Sequence, residues 1–160
     1  MYRSLAGIAP ASAGYGTVTI APKVSKTLDP AAVNASVATV RGVVTSSWTR
    51  HKRGSGCFNG LATLVTFRIG VPVGMLGDVH VPLLGEPASK VVVTVRDNHT
   101  TNGVGSSLPR VVWGEGADSL ADTELSWLRS PPQAARTEGA EVVMLEVAAS
   151  ELEIEAKVSC

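Results

Sequence analysis

Three histidines and two cysteines are the residues in this sequence best suited to binding a metal ion. His51, His80 and His99 stand far apart along the chain, and Cys57 and Cys160 are farther apart still. Protein zinc sites usually draw two ligands from within a few residues of each other. The spacing therefore predicts no metal site, and no other motif in the chain indicates a cofactor.

Cys57 is the best candidate for a catalytic nucleophile. It follows Arg53 in the glycine-rich stretch HKRGSGCFNG, where a positive charge could stabilise a thiolate. Without a recognisable histidine partner, an unreactive loop thiol is the better interpretation. A disulfide between Cys57 and Cys160 is possible, but spacing alone cannot show it, and two free thiols in a reducing compartment is the favoured interpretation.

The glutamates between residues 138 and 155 are the candidates for paired acid and base chemistry. A glycosidase of the usual kind needs two carboxyl groups that flank a cleft. Here acidic residues alternate with aliphatic ones, as in ELEIEAKV. That period is typical of a strand with one solvated face, so we expect surface charge rather than a catalytic pair. The chain also lacks a nucleophile elbow, a P-loop and a dinucleotide-binding fingerprint.

Four aromatic residues are candidates for binding a sugar or contacting a neighbouring domain: Tyr15, Trp48, Trp113 and Trp127. Aromatic rings can form stacking platforms for sugars. Trp48, however, falls in phase with the apolar positions of its predicted strand, which favours packing in a core or at a domain interface.

Composition excludes some classes of function. The 160 residues carry 14 basic and 14 acidic side chains, whereas nucleic-acid and membrane-surface binders usually carry a basic excess. Residues 1–110 are basic and residues 111–160 acidic, which predicts either neighbouring strands of opposite charge or an acidic face for a partner. No segment resembles a signal peptide or a membrane span, which slightly favours the cytoplasm and gives the glycosylation sequons at Asn34 and Asn98 no evident use.

Valine-rich segments with period-two alternation predict an all-β fold. With 44% hydrophobic but only 4% aromatic residues, the core must be aliphatic, and β-branched side chains suit a pleated sheet. We expect strands over the segments 14–22, 31–52 (two strands around Arg41-Gly42), 61–72, 75–85, 89–97 and 110–116. The stretch 140–159 should add two more, either as a half-exposed hairpin or as two consecutive strands. Residues 117–140 are the least regular and could contain one helix from Ser119 to Arg129. Strands of this length and spacing indicate an antiparallel, jelly-roll-like β-sandwich.

The first residues look like the end of a helix. Tyr2 to Ala6 are acceptable helix residues, Gly7 stands where the residue after a helix would, and Pro10 follows. A helix this short is not stable by itself. The pattern indicates the last turn of a helix that leads into a strand domain.

The order of these motifs resembles the carboxyl-terminal part of α-L-rhamnosidases of glycoside hydrolase family 78. In that family a helix of the type LYR-x-x-AGI-x-P ends an (α/α)₆ catalytic barrel, and Gly-Tyr, I-x-P, a strand pair ending in tryptophan and a V-P segment follow. The matching positions are Gly7, Ile8, Pro10, Gly14, Tyr15, Ile20, Pro22, Ala35, Gly42, Val44, Trp48, Val71, Pro72, Gly74, Val79, Val81 and Pro82.

The resemblance implies that residues 1–9 end the last barrel helix and that residues 10–160 form the appended sandwich. The family's catalytic residues lie upstream, so none maps onto this chain. The parent protein would hydrolyse terminal α-L-rhamnose with inversion, while this chain alone would be inactive and would support the catalytic domain. The alternatives are a stand-alone module that binds carbohydrate, such as a rhamnosylated glycan, or another protein, and a small enzyme whose site is built from distant strands.

Overall fold

The structure is a computed structural model and describes residues 5–24, 31–51, 57–58, 60–97, 110–114, 132–137, 140–148 and 150–159. Within these residues, strands dominate. Twelve are formed by the described residues: β1 (Ile8–Pro10), β2 (Thr17–Ile20), β3 (Ala32–Thr39), β4 (Gly42–Arg50), β5 (Cys57–Phe58), β6 (Leu61–Val71), β7 (Leu76–Pro82), β8 (Val91–Asp97), β9 (Arg110–Trp113), β10 (Gln133–Thr137), β11 (Ala140–Val147) and β12 (Ser150–Ser159). Single 3₁₀ turns occur at Ala13–Tyr15 and Ala88–Lys90.

The described strands form two sheets. The smaller has the order β1-β2-β7-β11-β10, and the larger has the order β3-β4-β6-β12-β8-β9, with β5 paired to β6. Buried side chains from both sheets form one hydrophobic cluster between them. The predicted all-β sandwich is therefore confirmed.

Alternation along each strand decides which side chains enter the core. In β12, Leu152, Ile154, Ala156 and Val158 are buried, while the acidic residues between them are exposed or half-buried. In β8, Val91, Val93 and Val95 are buried in the core, and Val92 on the opposite face is buried as well, whereas Thr94 and Arg96 on that face are half-buried. The core is aliphatic apart from a few large side chains such as Phe67 and Trp48.

Basic and acidic strands lie side by side in the larger sheet. The central strand β12 places Glu153 between Arg68 of β6 and Arg96 of β8 in the strand register. The Arg68 Nε donates to a Glu153 carboxylate oxygen at 3.1 Å, and the arginine side chain is 72% exposed. An ion pair so open to solvent contributes about 0–1 kcal/mol. At this position, basic residues from the first part of the chain neighbour an acidic residue from the last part, the arrangement that the first of the two interpretations predicted.

Two features of the strands differ from the sequence prediction. The strand β2 pairs with β7 in parallel, whereas an antiparallel sandwich was expected. A parallel pair needs a long crossover, and here the connection runs through β3 to β6 of the other sheet. The strand β10 lies inside the segment that was predicted to be irregular, and it pairs with β11. The strands β11 and β12 belong to different sheets, so of the two predicted arrangements, a hairpin or two consecutive strands, the structure shows consecutive strands.

A hairpin and a bulge are two further features of the larger sheet. The strands β3 and β4 form a hairpin from Thr39 to Gly42, so the predicted break at Arg41-Gly42 is a turn. The register between β6 and β12 shifts at Ala156 and Lys157, which leaves Leu64 as an extra residue on β6. Both Leu64 and Val65 are buried as a result of this bulge. The predicted helix from Ser119 to Arg129 lies outside the described residues.

The expected helical remnant is represented by two described residues, Leu5 and Ala6, which are helical. The strand β1 begins at Ile8 and spans the predicted domain boundary between residues 9 and 10. None of the helical segments in the described part of the chain is long and apolar enough to cross a bilayer.

The central strand provides the first test of this packing. Ile154 is fully buried in β12, so Ile154→Ala should lower the free energy of unfolding by about 2–5 kcal/mol through the lost contacts and the cavity left behind. The matched variant Glu151→Ala changes an exposed position of the same strand and should stay within about 0.5 kcal/mol of wild type. Urea unfolding followed by circular dichroism measures both, and equal effects would contradict the assigned faces of β12.

Candidate functional site

The segment that leads into the sandwich contains the end of a helix, which is followed by a glycine in the left-handed conformation. Leu5 and Ala6 are helical, and Gly7 has a φ of 72°, the left-handed conformation of a residue that follows a helix. The backbone N–H of Ala21, just past β2, donates to the Gly7 carbonyl oxygen at 2.9 Å. The helix end is therefore attached to the smaller sheet, and Gly7 occupies the position that the sequence predicted.

Two side chains of β4 bind the helix end from the larger sheet. The indole Nε1 of Trp48 donates to the carbonyl oxygen of Leu5 at 2.8 Å, and the Ser46 hydroxyl donates to the carbonyl oxygen of Ala6 at 2.9 Å. The last carbonyls of a helix have no partner within the helix, and burying them unpaired is costly. We call Ser46 and Trp48 the carbonyl clamp, because together they satisfy two such groups.

The clamp depends on the alternation of β4. Positions 44, 46 and 48 point into the sandwich, and Ser46 is fully buried among apolar neighbours. Among the described residues it is the one buried polar side chain in the core. Sequence analysis placed Ser46 and Trp48 on the same strand face but did not assign Ser46 a role. The sequence did contain a clue to this role, because Ser46 occupies one of the alternating positions of β4 that are otherwise apolar. A hydroxyl buried at such a position normally has a hydrogen-bond partner.

Gly7 also permits a close approach between two backbone segments. A Cβ built on it would lie 2.1 Å from the carbonyl carbon of Ala21 and 2.3 Å from the nitrogen of Pro22. A side chain at this position would have to displace backbone atoms. The route of the chain from helix to β1 is thus fixed by sterics as well as by hydrogen bonds.

The three aromatic candidates that the structure describes do not share one surface. Trp48 is only 2% exposed. Trp113 is half-buried on β9, at the opposite edge of the larger sheet, and its indole Nε1 donates to the Ala88 carbonyl oxygen at 2.9 Å. Tyr15 is half-buried in the 3₁₀ turn before β2, and Trp127 lies outside the described residues. Their predicted roles in sugar or domain contacts stay predictions.

The remaining chemical candidates are dispersed as well. His51 Nε2 lies 2.9 Å from Thr66 Oγ1 on the larger sheet, and His80 Nε2 lies 3.3 Å from Asp78 Oδ2 on the smaller one. Over the described ranges, no three His, Cys, Asp or Glu residues cluster closely enough to hold a metal ion. The backbone of Cys57 lies in β5, while Cys160 and His99 fall outside those ranges.

An open groove of about 290 Å³ lies on the larger sheet. Its lining is mostly polar: Ser47, Trp48, Thr49, His51, Thr66 and Arg68. The side chain of Trp48 is buried, so the groove offers hydroxyl, imidazole and guanidinium groups and not an aromatic surface. It is an open groove, lined by polar side chains, on the solvent-exposed face of the larger sheet.

Comparison with known proteins decides the family. Residues 7–96 match the family model of the bacterial α-L-rhamnosidase C-terminal domain. The chain belongs to this family. The match begins at Gly7, the residue that ends the helix, and runs through β8. No curated protein sequence matches the chain.

Two solved structures share the fold. An α-L-rhamnosidase from Dictyoglumus thermophilum superposes with a TM-score of 0.57 at 17% identity, covering 98% of this chain and 13% of that one. An α-L-rhamnosidase from Streptomyces avermitilis, solved with L-rhamnose, gives a TM-score of 0.53 at 19% identity, with coverages of 97% and 10%. The chain thus spans about a tenth of the length of these enzymes, as an accessory domain would.

The clamp can be tested by removing one donor. Trp48→Phe keeps an aromatic ring but leaves the Leu5 carbonyl without its partner, so the free energy of unfolding should fall by about 1–3 kcal/mol. The peptide bonds next to Leu5 should also become more sensitive to protease. Trp113→Phe is the matched control, since it removes an indole donor at the far edge of the sheet and should leave the N-terminal segment resistant. Equal protection of that segment in both variants would contradict the clamp.

The close approach at Gly7 gives a second test. Gly7→Ala should destabilise the chain by at least about 2 kcal/mol, because it adds a steric clash with backbone to a strained φ. Gly14→Ala is the matched control: its φ is 64°, but a Cβ there would meet nothing within 4 Å. The difference between the two variants in urea unfolding isolates the clash, and no difference would show that the approach of residue 7 to Ala21 is unimportant.

Proposed function

We propose that this chain is the non-catalytic C-terminal sandwich of an α-L-rhamnosidase-like glycoside hydrolase. Its task is to hold the end of the last helix of the catalytic domain and so to stabilise that domain. The parent protein would remove terminal α-L-rhamnose from glycosides with inversion, using residues outside this chain.

The observation that carries this proposal is the carbonyl clamp. A β-sandwich has no internal need to bury the end of a helix, yet β4 places two hydrogen-bond donors on the carbonyls of Leu5 and Ala6. These donors fix the position and direction of whatever helix precedes Gly7. We assign this helix to a rhamnosidase catalytic domain as part of the proposal, which is supported by the family match and by the much greater length of the two solved rhamnosidases that share the fold.

The proposal divides the chain into two parts. Residues 1–9 would derive from the last helix of the catalytic (α/α)₆ domain, and residues 10–160 would form the sandwich. The strand β1 spans this boundary and pairs with β2, so the two parts are continuous through a sheet rather than through a loose linker.

The competing hypothesis is a stand-alone module that binds a rhamnosylated glycan or another protein. A sugar platform would need exposed aromatic faces. Trp48 and Trp113 lie on strands separated by β6, β12 and β8, which at about 4.8 Å per strand places them nearly 20 Å apart. Trp48 is buried with its only donor engaged, which favours the structural role.

The proposal makes a direct prediction about the native protein. An immunoblot of source-cell extract against this domain should detect a polypeptide several times larger than 16.5 kDa, since this chain spans about a tenth of its relatives. That polypeptide should hydrolyse an aryl α-L-rhamnoside, whereas the 160-residue chain should not.

A native band at 16.5 kDa would overturn the proposal. In that case a change in tryptophan fluorescence on titration with millimolar L-rhamnose would support the carbohydrate-binding alternative. The same titration with an unrelated hexose is the control for non-specific effects.

A further inference from the structure

The strand β3 is an edge strand that carries none of the usual protection against pairing with another strand. Among the described strands it is the last one on its side of the larger sheet, next to β4. Its eight residues, AVNASVAT, include no charge and no proline, and its register with β4 runs without a shift. Natural sheets usually blunt an edge with a charge, a proline or a bulge, because open N–H and C=O groups attract another strand.

The other end strands of the two described sheets are shorter, and each carries such a device. The strand β1 has three residues and ends at Pro10. The strand β9 has four residues and begins at Arg110, and its register with β8 shifts between Val93 and Thr94. The strand β10 has five residues, which include Arg136. Of these four ends, β3 is thus the longest and the one that is left open to pairing.

The backbone groups on the outer side of β3 belong to alternate residues. The Arg50 N–H donates to the Ala31 carbonyl oxygen at 2.7 Å, one step beyond the pair Ala32–Thr49. Hydrogen-bonded and non-hydrogen-bonded pairs alternate in an antiparallel ladder, so the odd-numbered residues of β3 bond to β4. The even-numbered residues direct their N–H and C=O groups away from β4, and their side chains are exposed: Ala32, Asn34, Ser36 and Ala38.

The sequence of this edge is nearly the same in both directions. Residues 32–38 read AVNASVA, and in reverse they read AVSANVA, so the two orders differ by the exchange of Asn34 and Ser36. A twofold dimer brings one surface against a copy of itself, which requires a self-complementary surface. Two copies of β3 meet this requirement when they lie antiparallel with Ala35 at the centre of the pair.

The register centred on Ala35 agrees with the direction of the backbone groups. It places Asn34 opposite Ser36 of the second copy, and Ala32 opposite Ala38. These are the even-numbered residues, whose N–H and C=O groups point outward and can form the hydrogen-bonded pairs of the new ladder. The amide of Asn34 and the hydroxyl of Ser36 also meet across the strands, where each can bond to the other.

The same register brings the apolar side chains together. The odd-numbered residues form its non-hydrogen-bonded pairs, Val33 with Val37 and Ala35 with Ala35, in which side chains lie closest. In one chain these three residues are half-buried and pack against the edge of the core. A second copy would remove more of their surface from water, and pairs of β-branched residues across strands stabilise a sheet.

We propose that β3 pairs with β3 of a second copy of this chain and joins the two larger sheets into one continuous sheet. This is strand addition at an open edge. A second copy is the occupant because the edge matches itself in its polar row, its apolar row and the direction of its backbone groups. The inference does not rest on the proposed function, since it concerns an edge of the sandwich and not the helix end.

Two double variants test the register. Asn34→Lys/Ser36→Lys places like charges opposite each other at both symmetric positions, so it should raise the dissociation constant of the dimer at least about tenfold. Asn34→Lys/Ser36→Glu is the matched control, because it places opposite charges at the same positions and should keep the dimer. Both residues are exposed, so in dilute protein both variants should keep a urea midpoint close to wild type.

Sedimentation equilibrium of the native polypeptide at about 100 μM measures the association, because a dimer with a dissociation constant of about 10 μM is then mostly formed. The expected mass is twice that of the same polypeptide under denaturing conditions. The mass of a single chain, or equal association of the two double variants, overturns the proposal. The comparison holds for a polypeptide of 16.5 kDa and for a longer enzyme, so its failure leaves the proposed function untouched.

Hydrogen exchange in the native polypeptide locates the contact. The amides of Asn34 and Ser36 should exchange more slowly as the protein concentration rises, whereas those of Val33 and Ala35 already bond to β4 and should not change. If Asn34 and Ser36 are protected in a polypeptide that stays monomeric, another segment covers β3, and the second copy is the wrong occupant.

Discussion

The structure depends on two hydrogen bonds that close the helix end onto the sandwich. A helix that stops inside a protein leaves carbonyl groups without partners, and a β-sandwich core offers few donors to satisfy them. Ser46 and Trp48 supply these donors from a single strand face, because residues two apart in a strand point the same way. The apolar core can therefore accept Leu5 and Ala6 without stranding polar atoms. The two bonds connect the N-terminal segment of this chain to the larger sheet, while Gly7 and Ala21 connect it to the smaller one.

Because of this arrangement, the two sheets make different contacts with the N-terminal segment. The smaller sheet takes up β1 as an edge strand, and the larger sheet provides the carbonyl clamp. Both features lie on the first half of the chain, within the part that matches the C-terminal rhamnosidase domain. The acidic second half mainly completes the sheets, with β12 supplying buried aliphatic residues and outward glutamates. The contacts to the helix end and the completion of the sheets are thus encoded in different parts of the sequence.

The sequence predicted the parts of the fold that depend on local pattern. The alternation around Arg41-Gly42 located the β3–β4 hairpin and the inward phase of Trp48, and Gly7 marked the helix end. The sequence could not show what depends on distant partners. The parallel pairing of β2 with β7 is set by the crossover through the other sheet. The segment QAART carries no period-two apolar pattern, because β10 is an edge strand in which Gln133 and Ala134 are exposed. The buried pair Leu64 and Val65 reflects a bulge, which appears only when β6 is paired with β12. The role of Ser46 could not be predicted from the sequence, because the hydrogen-bond partner of its hydroxyl is a helix end that only the fold brings next to β4.

The position of β12 has a consequence for how the domain is made. This strand is formed by residues 150–159, yet it occupies the centre of the larger sheet, between β6 and β8. Until it emerges from the ribosome, β6 and β8 have no shared neighbour, and their buried valines and leucines stay exposed to water. The sheet must therefore close late, through contacts between residues far apart in sequence, which is the slow class of folding step. During that interval the nascent chain presents two unpaired strand edges, so chaperone binding at this stage would protect it from aggregation.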